Sequence, residues 1–117
     1  SDNVLELGRL NLMTGEYRSV KRDSVMPGGA ERATEDFATH CRELAETFLC
    51  KDEVEPFCER FGLEVLRTEL FASPRPIFCR WRKVESAFCP WMTMEILPAR
   101  GCSKKEPWAV VMVREMK

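Results

Sequence analysis

The chain has one histidine, no C-x-x-C pair, no serine-nucleophile elbow and no zinc-hydrolase motif. Its Gly28-Gly29 pair has no following Lys-Ser/Thr, so a phosphate-cradling loop is missing too. Together these gaps exclude the commonest hydrolytic and nucleotide-dependent centres. No apolar run approaches the roughly 20 residues that a membrane helix needs. No charged-then-apolar leader opens the chain, and repeats and low-complexity tracts are absent. The expectation is a cytoplasmic protein without direct membrane insertion.

What is there suits one ordinary domain. The 117 residues are 44% hydrophobic and 32% charged, enough to bury a single core over 1–117. The first residue is Ser1, so the sequence reads as a piece excised from a longer multidomain protein. Charge is unevenly laid out. Residues 31–69 carry eleven acids and five bases, while 70–117 carry four acids and nine bases. A basic half can mark a nucleic-acid partner. However, Arg80, Arg82 and Lys83 alternate with apolar residues as on a solvated strand face, and no nucleic acid is expected.

The six cysteines (41, 50, 58, 79, 89 and 102) lie no closer than eight or nine residues apart. A two-residue turn at Glu85-Ser86 would set Arg82 opposite Cys89 and Cys79 opposite Met92, which keeps Cys79 and Cys89 out of bonding range. Reduced thiols acting as small buried hydrophobes are predicted.

Periodicity gives the order of elements. "NVLELGRLNLMTGEYRSVKRD" predicts two strands around Thr14-Gly15, with Leu5 and Leu7 facing inward, and Pro27-Gly28-Gly29 predicts a loop. Phe37, Cys41, Leu44, Ala45, Phe48 and Leu49 form a helical stripe, with Thr34 as its cap and Glu35 and Asp36 favourable to its dipole. A second stripe (Val54, Phe57, Cys58, Phe61) starts after Asp52, breaks at Gly62 and resumes at Leu63, Leu66 and Leu70. Three strands follow at about 76–83, 87–97 and 107–115, the last nearly all apolar and so central. The expected fold is α+β, with one antiparallel five-stranded sheet (two N-terminal and three C-terminal strands) and helices on one face.

That succession resembles a PAS domain over nearly the whole chain. The resemblance rests on "FCERFGLEVLRTEL" preceded by "CKDE", and on "PIFCRWRKVESAFCPWMTMEILPA", with Arg80 in the first arm of the hairpin and Trp91 in the second. It rests too on the closing strand "PWAVVMVREM". Lys51 stands where the family often has proline, and Glu115-Met116-Lys117 replaces its usual Asp-Ile-Thr. The resemblance implies a non-catalytic sensory and dimerisation module of a bacterial signalling protein. Such a module works by population shift upstream of a diguanylate cyclase or histidine kinase output domain.

Candidate site residues follow. Phe57, Phe61, Leu66, Trp81, Trp91, Met92, Met94, Trp108 and Met112 would line a gap between helices and sheet for a small-molecule ligand, or else form the core. Phe78 alternates opposite to Ile77, Cys79 and Trp81, which puts an apolar residue on the uncovered face and predicts a homodimer. His40 and Cys41 are adjacent and diverge by about 100° on a helix, so His40 reads as a surface residue, and no metal, haem or flavin is expected. The acid pairs Glu35/Asp36 and Asp52/Glu53 are explained by helix dipoles, and no catalytic residue stands out. Two alternatives remain: a small cone-shaped α+β enzyme or binding protein with a polar, acid-containing pocket, and a haem or metal sensor.

Overall fold

Apolar residues at period two near both ends, and at period 3.6 between them, leave the chain two kinds of surface to bury against each other. In a computed structural model that describes residues 3–31, 34–84 and 88–117, strands β1 (Asn3–Asn11), β2 (Glu16–Arg22) and the short β3 (Thr34–Asp36) come first. Helices α1 (Phe37–Phe48), α2 (Val54–Arg60) and α3 (Leu63–Ala72) follow, with a 3-10 turn at Lys51–Glu53. Strands β4 (Ile77–Arg82), β5 (Trp91–Pro98) and β6 (Trp108–Met116) close the chain. All six form one antiparallel sheet in the order β3-β2-β1-β6-β5-β4. The class is α+β as expected, with six strands in place of five. The near-continuous apolar strand β6 is interior, paired with β1 on one side and β5 on the other.

Local chemistry sets the corners. The Asn11 side-chain oxygen accepts from the backbone N–H groups of Met13 (2.8 Å) and Thr14 (3.1 Å), and Gly15 adopts φ +79°, so the β1–β2 turn closes where Thr14-Gly15 predicted it. The cap of α1 is Asp36 and not Thr34: its carboxylate accepts from the Thr39 backbone N–H at 3.1 Å. Thr34 and Glu35 instead extend β3 along the β2 edge, with Glu35 opposite Tyr17. Gly62 separates α2 from α3 as predicted.

The β4–β5 register also differs from expectation. Cys79 faces Met94 and Arg82 faces Trp91, two residues later on β5 than the short turn would give. Pro90 explains the shift, because it has no N–H to give the ladder. It can only accept, from the Lys83 backbone N–H at 2.8 Å, and β5 starts after it. The Glu85-Ser86 turn itself lies outside the described residues. No disulfide joins any of the six cysteines.

The helices cover one face. Phe37, Leu44, Phe57, Phe61, Leu66 and Leu70 bury against Leu10, Met92, Met94, Ile96, Val111 and Val113. Tyr17 is fully buried beside Gly8, where a Cβ would overlap the tyrosine hydroxyl and ring. Gly8→Ala should therefore destabilise the protein by about 1–3 kcal/mol through overpacking. Urea unfolding checks this, and an unchanged midpoint would mean that the ring does not press on Gly8.

Lys83 Nζ donates to Glu115 Oε2 at 2.7 Å and Asn3 Nδ2 donates to Oε1 at 3.0 Å, tying the ends of β4, β6 and β1 together. The Lys83 hydrogen bond, then that of Asn3, holds the Glu115 carboxyl below the usual glutamate range. The stability from this contact is present above the ordinary glutamate pKa and is lost as pH falls through the lowered folded value. In Lys83→Met the Glu115 titration, followed by carboxyl NMR, should move up towards an ordinary glutamate; a curve identical to wild type would sink the assignment.

Candidate functional site

Two irregularities in the pairing of β1, one with its extra residue at Leu5 and the other at Val20 of β2, flank a polar centre inside the molecule. The strand's pairing with β6 slips between Val4 and Glu6, and its pairing with β2 slips between Leu7 and Gly8. A bulge puts two residues opposite one and resets which face the following side chains take. Leu5 and Glu6 are consequently both fully buried. Leu7, expected inside, is opposite Met112 on the uncovered face. Glu6 thus joins the row Cys79, Met94, Val113, Glu6, Arg22 beneath the helices.

Around Glu6 the ionisable groups close a ring. Its Oε1 lies 3.0 Å from His40 Nε2, and its Oε2 lies 4.0 Å from Arg22 Nε. His40 Nδ1 lies 3.1 Å from Glu35 Oε1, and Glu35 Oε2 lies 3.7 Å from Arg22 Nη1. The side chains of Glu6 and His40 are 0% exposed, Arg22 3% and Glu35 21%. Removing an ion from water costs several kcal/mol, which only close partners offset, so these four groups hold one another in place. Arg22 also donates to the carbonyls of Pro27 and Glu31 and thereby pins the Gly28-Gly29 loop, whose glycines adopt φ +84° and +79°.

Tyr17 roofs the ring, stacked on His40 with centroids 4.9 Å apart at 22°. Burial first, then the negative charge of Glu6, pushes its phenol far above the usual range, so it stays a neutral hydroxyl. Burial likewise pushes the Cys41 thiol well up. Neither group offers an activated nucleophile.

His40 is therefore not a surface residue. It follows Phe37 by three and precedes Leu44 by four, which places it on the apolar stripe and not beside it. That spacing was the signal in the sequence. Glu6 carried no such signal, because Leu5 and Leu7 suggest the opposite phase to Gly8 and Leu10, which the structure adopts. Glu35 does more than favour a helix dipole: its carboxylate bridges His40 and Arg22.

The nine residues expected to line a ligand gap divide between two faces. Phe57, Phe61, Leu66, Met92 and Met94 are fully or almost fully buried in the core. Trp81 packs edge-on to Phe57 and Phe61, with centroids 5.3 and 6.1 Å away. Trp91, Trp108 and Met112 lie on the opposite side of the sheet, since their ladder partners Arg82, Asn11 and Glu95 alternate away from the core. One gap cannot be lined by both groups. Surface depressions along α1 and α3 are lined by other residues, among them Ala38, Arg42, Val65 and Thr68.

The uncovered face carries Phe78, 56% exposed, and Val110, 38% exposed, among half-buried Trp91, Leu97, Trp108 and Met112. Arginines lie over its tryptophans: Arg9 is 4.1 Å from the Trp108 ring centre and Arg80 4.1 Å from that of Trp91. Glu95 pairs with Arg114 at 3.1 Å. No helix among the described residues is long and apolar enough to cross a membrane.

Breaking the buried ring from its cationic side should be costly. Arg22→Met leaves Glu6 and Glu35 short of a partner and is expected to cost about 3–5 kcal/mol in urea unfolding. Adding Glu6→Gln should recover part of that loss, with a coupling of about 0.5–3 kcal/mol; strictly additive losses would show that the two groups do not interact. Comparison with family models, curated proteins and solved structures returns no match.

Proposed function

We propose that this chain is a PAS-like sensory and dimerisation module of a cytoplasmic bacterial signalling protein, without catalysis of its own. The observation that carries the reading is the sheet order. The last strand lies in the sheet interior between β1 and β5, and the helical segment is inserted between the N-terminal and C-terminal strands and covers one face. An interior last strand supports the reading, while the short β3 at one edge departs from the five strands expected.

The uncovered face is the surface offered to a second copy. Phe78 and Val110 break an otherwise arginine-shielded sheet, and exposed apolar area on one face of an antiparallel sheet is where a partner gains most by excluding water. The mechanism is a shift between two packings of that face, favoured unequally by a ligand or by dimer contacts and passed to an output domain of the cyclase or kinase type.

The test is the oligomeric state. Sedimentation velocity should show a dimer for the wild type and a monomer for Phe78→Asp, with unchanged circular dichroism because the ring is mostly exposed. A monomeric wild type, or a variant that sediments like it, would remove the dimerisation role.

A further inference from the structure

We propose that the uncovered face of the sheet binds single-stranded nucleic acid, with cations at two opposite corners taking phosphates and the rings beside them taking bases. The inference goes beyond the sensory reading and does not depend on it. Alternation along the ladders puts Arg9 of β1, Arg18 and Lys21 of β2, and Arg80 and Arg82 of β4 on this side, all exposed. None of the five is paired with an acid among the described residues. Of the acids on this side, Glu95 is held by Arg114 at 3.1 Å, and Glu16 stands at the far edge, where β2 meets β3. The cations come from both ends of the chain, so only the strand order shows them as one set.

Their layout is diagonal. Arg9 and Arg80 are three strands apart across the sheet and four residues apart along it. At about 4.8 Å per strand and 3.4 Å per residue, the corners lie about 20 Å from each other. Each corner has the same parts. A guanidinium sits 4.1 Å from a tryptophan ring centre, Arg9 on Trp108 and Arg80 on Trp91. A second arginine adjoins it: Arg18 is opposite Arg9 in the ladder, and Arg82 lies 5.0 Å from the Trp91 ring. Leu7, Met112 and Phe78 cross the sheet between the corners. A cationic track with aromatic rings is the general means of holding a single strand, since every base has a π-face, and guanidinium planes stack on bases too. The span suits a short strand, at the lower end of the roughly 4–16 nucleotides that one such fold engages.

A separate observation points to an anion. Thr93, directly opposite Arg80 in the ladder and so on the same side, is fully buried, and its hydroxyl has no hydrogen-bond partner among the described residues. A buried hydroxyl without a partner costs stability. A phosphate drawn to Arg80 offers it an acceptor oxygen. Charge selects among occupants as well. A second copy covers the apolar row but brings the same cations to it, whereas a polyanion brings the opposite charge, so strand and copy compete for one surface. A duplex keeps its bases stacked away from the rings. A lipid surface needs apolar side chains that project, and on this face only Phe78 is more than half exposed.

The probe is a fluorescently labelled oligothymidine of about twelve nucleotides, added to the full chain. Anisotropy should report binding that weakens with salt, and tryptophan fluorescence should fall as bases stack at Trp91 and Trp108. Arg18→Gln combined with Arg82→Gln removes one exposed cation from each corner and leaves the core intact. It should weaken binding at least about tenfold and flatten the logarithmic salt dependence by about 1.4, with unchanged circular dichroism. No binding at low salt overturns the proposal, as does equal affinity in the double variant. So does equal binding of a duplex with tryptophan fluorescence unmoved, or binding to phosphatidylserine vesicles but not to the oligonucleotide. Sedimentation reads the second copy and anisotropy reads the strand, so either can fail without the other.

Discussion

The pairing of β1 with β6 joins the two ends of the chain, and the rest of the architecture depends on it. Without that ladder the N-terminal strands and the β4–β5 hairpin are two separate ribbons, each too small to hold a helix layer. With it, Leu10, Val111, Val113, Met94 and Ile96 form one continuous apolar surface, and the helices that carry Phe57, Phe61, Leu66 and Leu70 have a single place to go. The contact spans more than 100 residues of sequence, so its closure entropy must be met by the apolar burial it makes possible. The Asn3–Glu115–Lys83 contacts finish the same seam at its polar end.

The seam is also where the pattern is broken. Alternation back from Leu10 through Gly8 puts Glu6 beneath α1, and the bulge at Leu5 lets that residue turn inward as well. A carboxylate therefore lies beneath α1, and Arg22, His40 and Glu35 gather around it from three other elements. Such a centre is a poor device for stability, since a well-packed apolar set of equal volume often does as well or better. Its geometric specificity is higher: each partner fixes the orientation of the next, from the Gly28-Gly29 loop through Arg22 to the first turns of α1. A ring that touches β1, β2, β3 and α1 together is positioned to couple them.

The two faces of the sheet divide the remaining work. One is filled by helices and closed by Trp81 against Phe57 and Phe61. On the other, Trp91 and Trp108 lie flat under arginines, which shields their rings while leaving Phe78 and Val110 to water. The cysteines contribute packing and no cross-links, with Cys41 and Cys102 buried as small hydrophobes.

Local physics was readable from the sequence because it depends on neighbours in the chain. The stripe from Phe37 to Leu49, the break at Gly62, the turn at Gly15 and the apolar run of β6 each follow from spacing and backbone chemistry within a few residues. The position of Pro90 was equally local, and it moves the hairpin register once its missing N–H is taken into account. What only the tertiary structure decided is which face Glu6 takes, which cation meets it, and that Trp91 and Trp108 lie across the sheet from Met92 and Met94. A bulge shifts every later side chain by half a period yet leaves composition and hydrophobic count unchanged. The partners of Glu6 come from positions 22 and 40, and Glu35 bridges those two, a set brought together only when sheet and helix close over it.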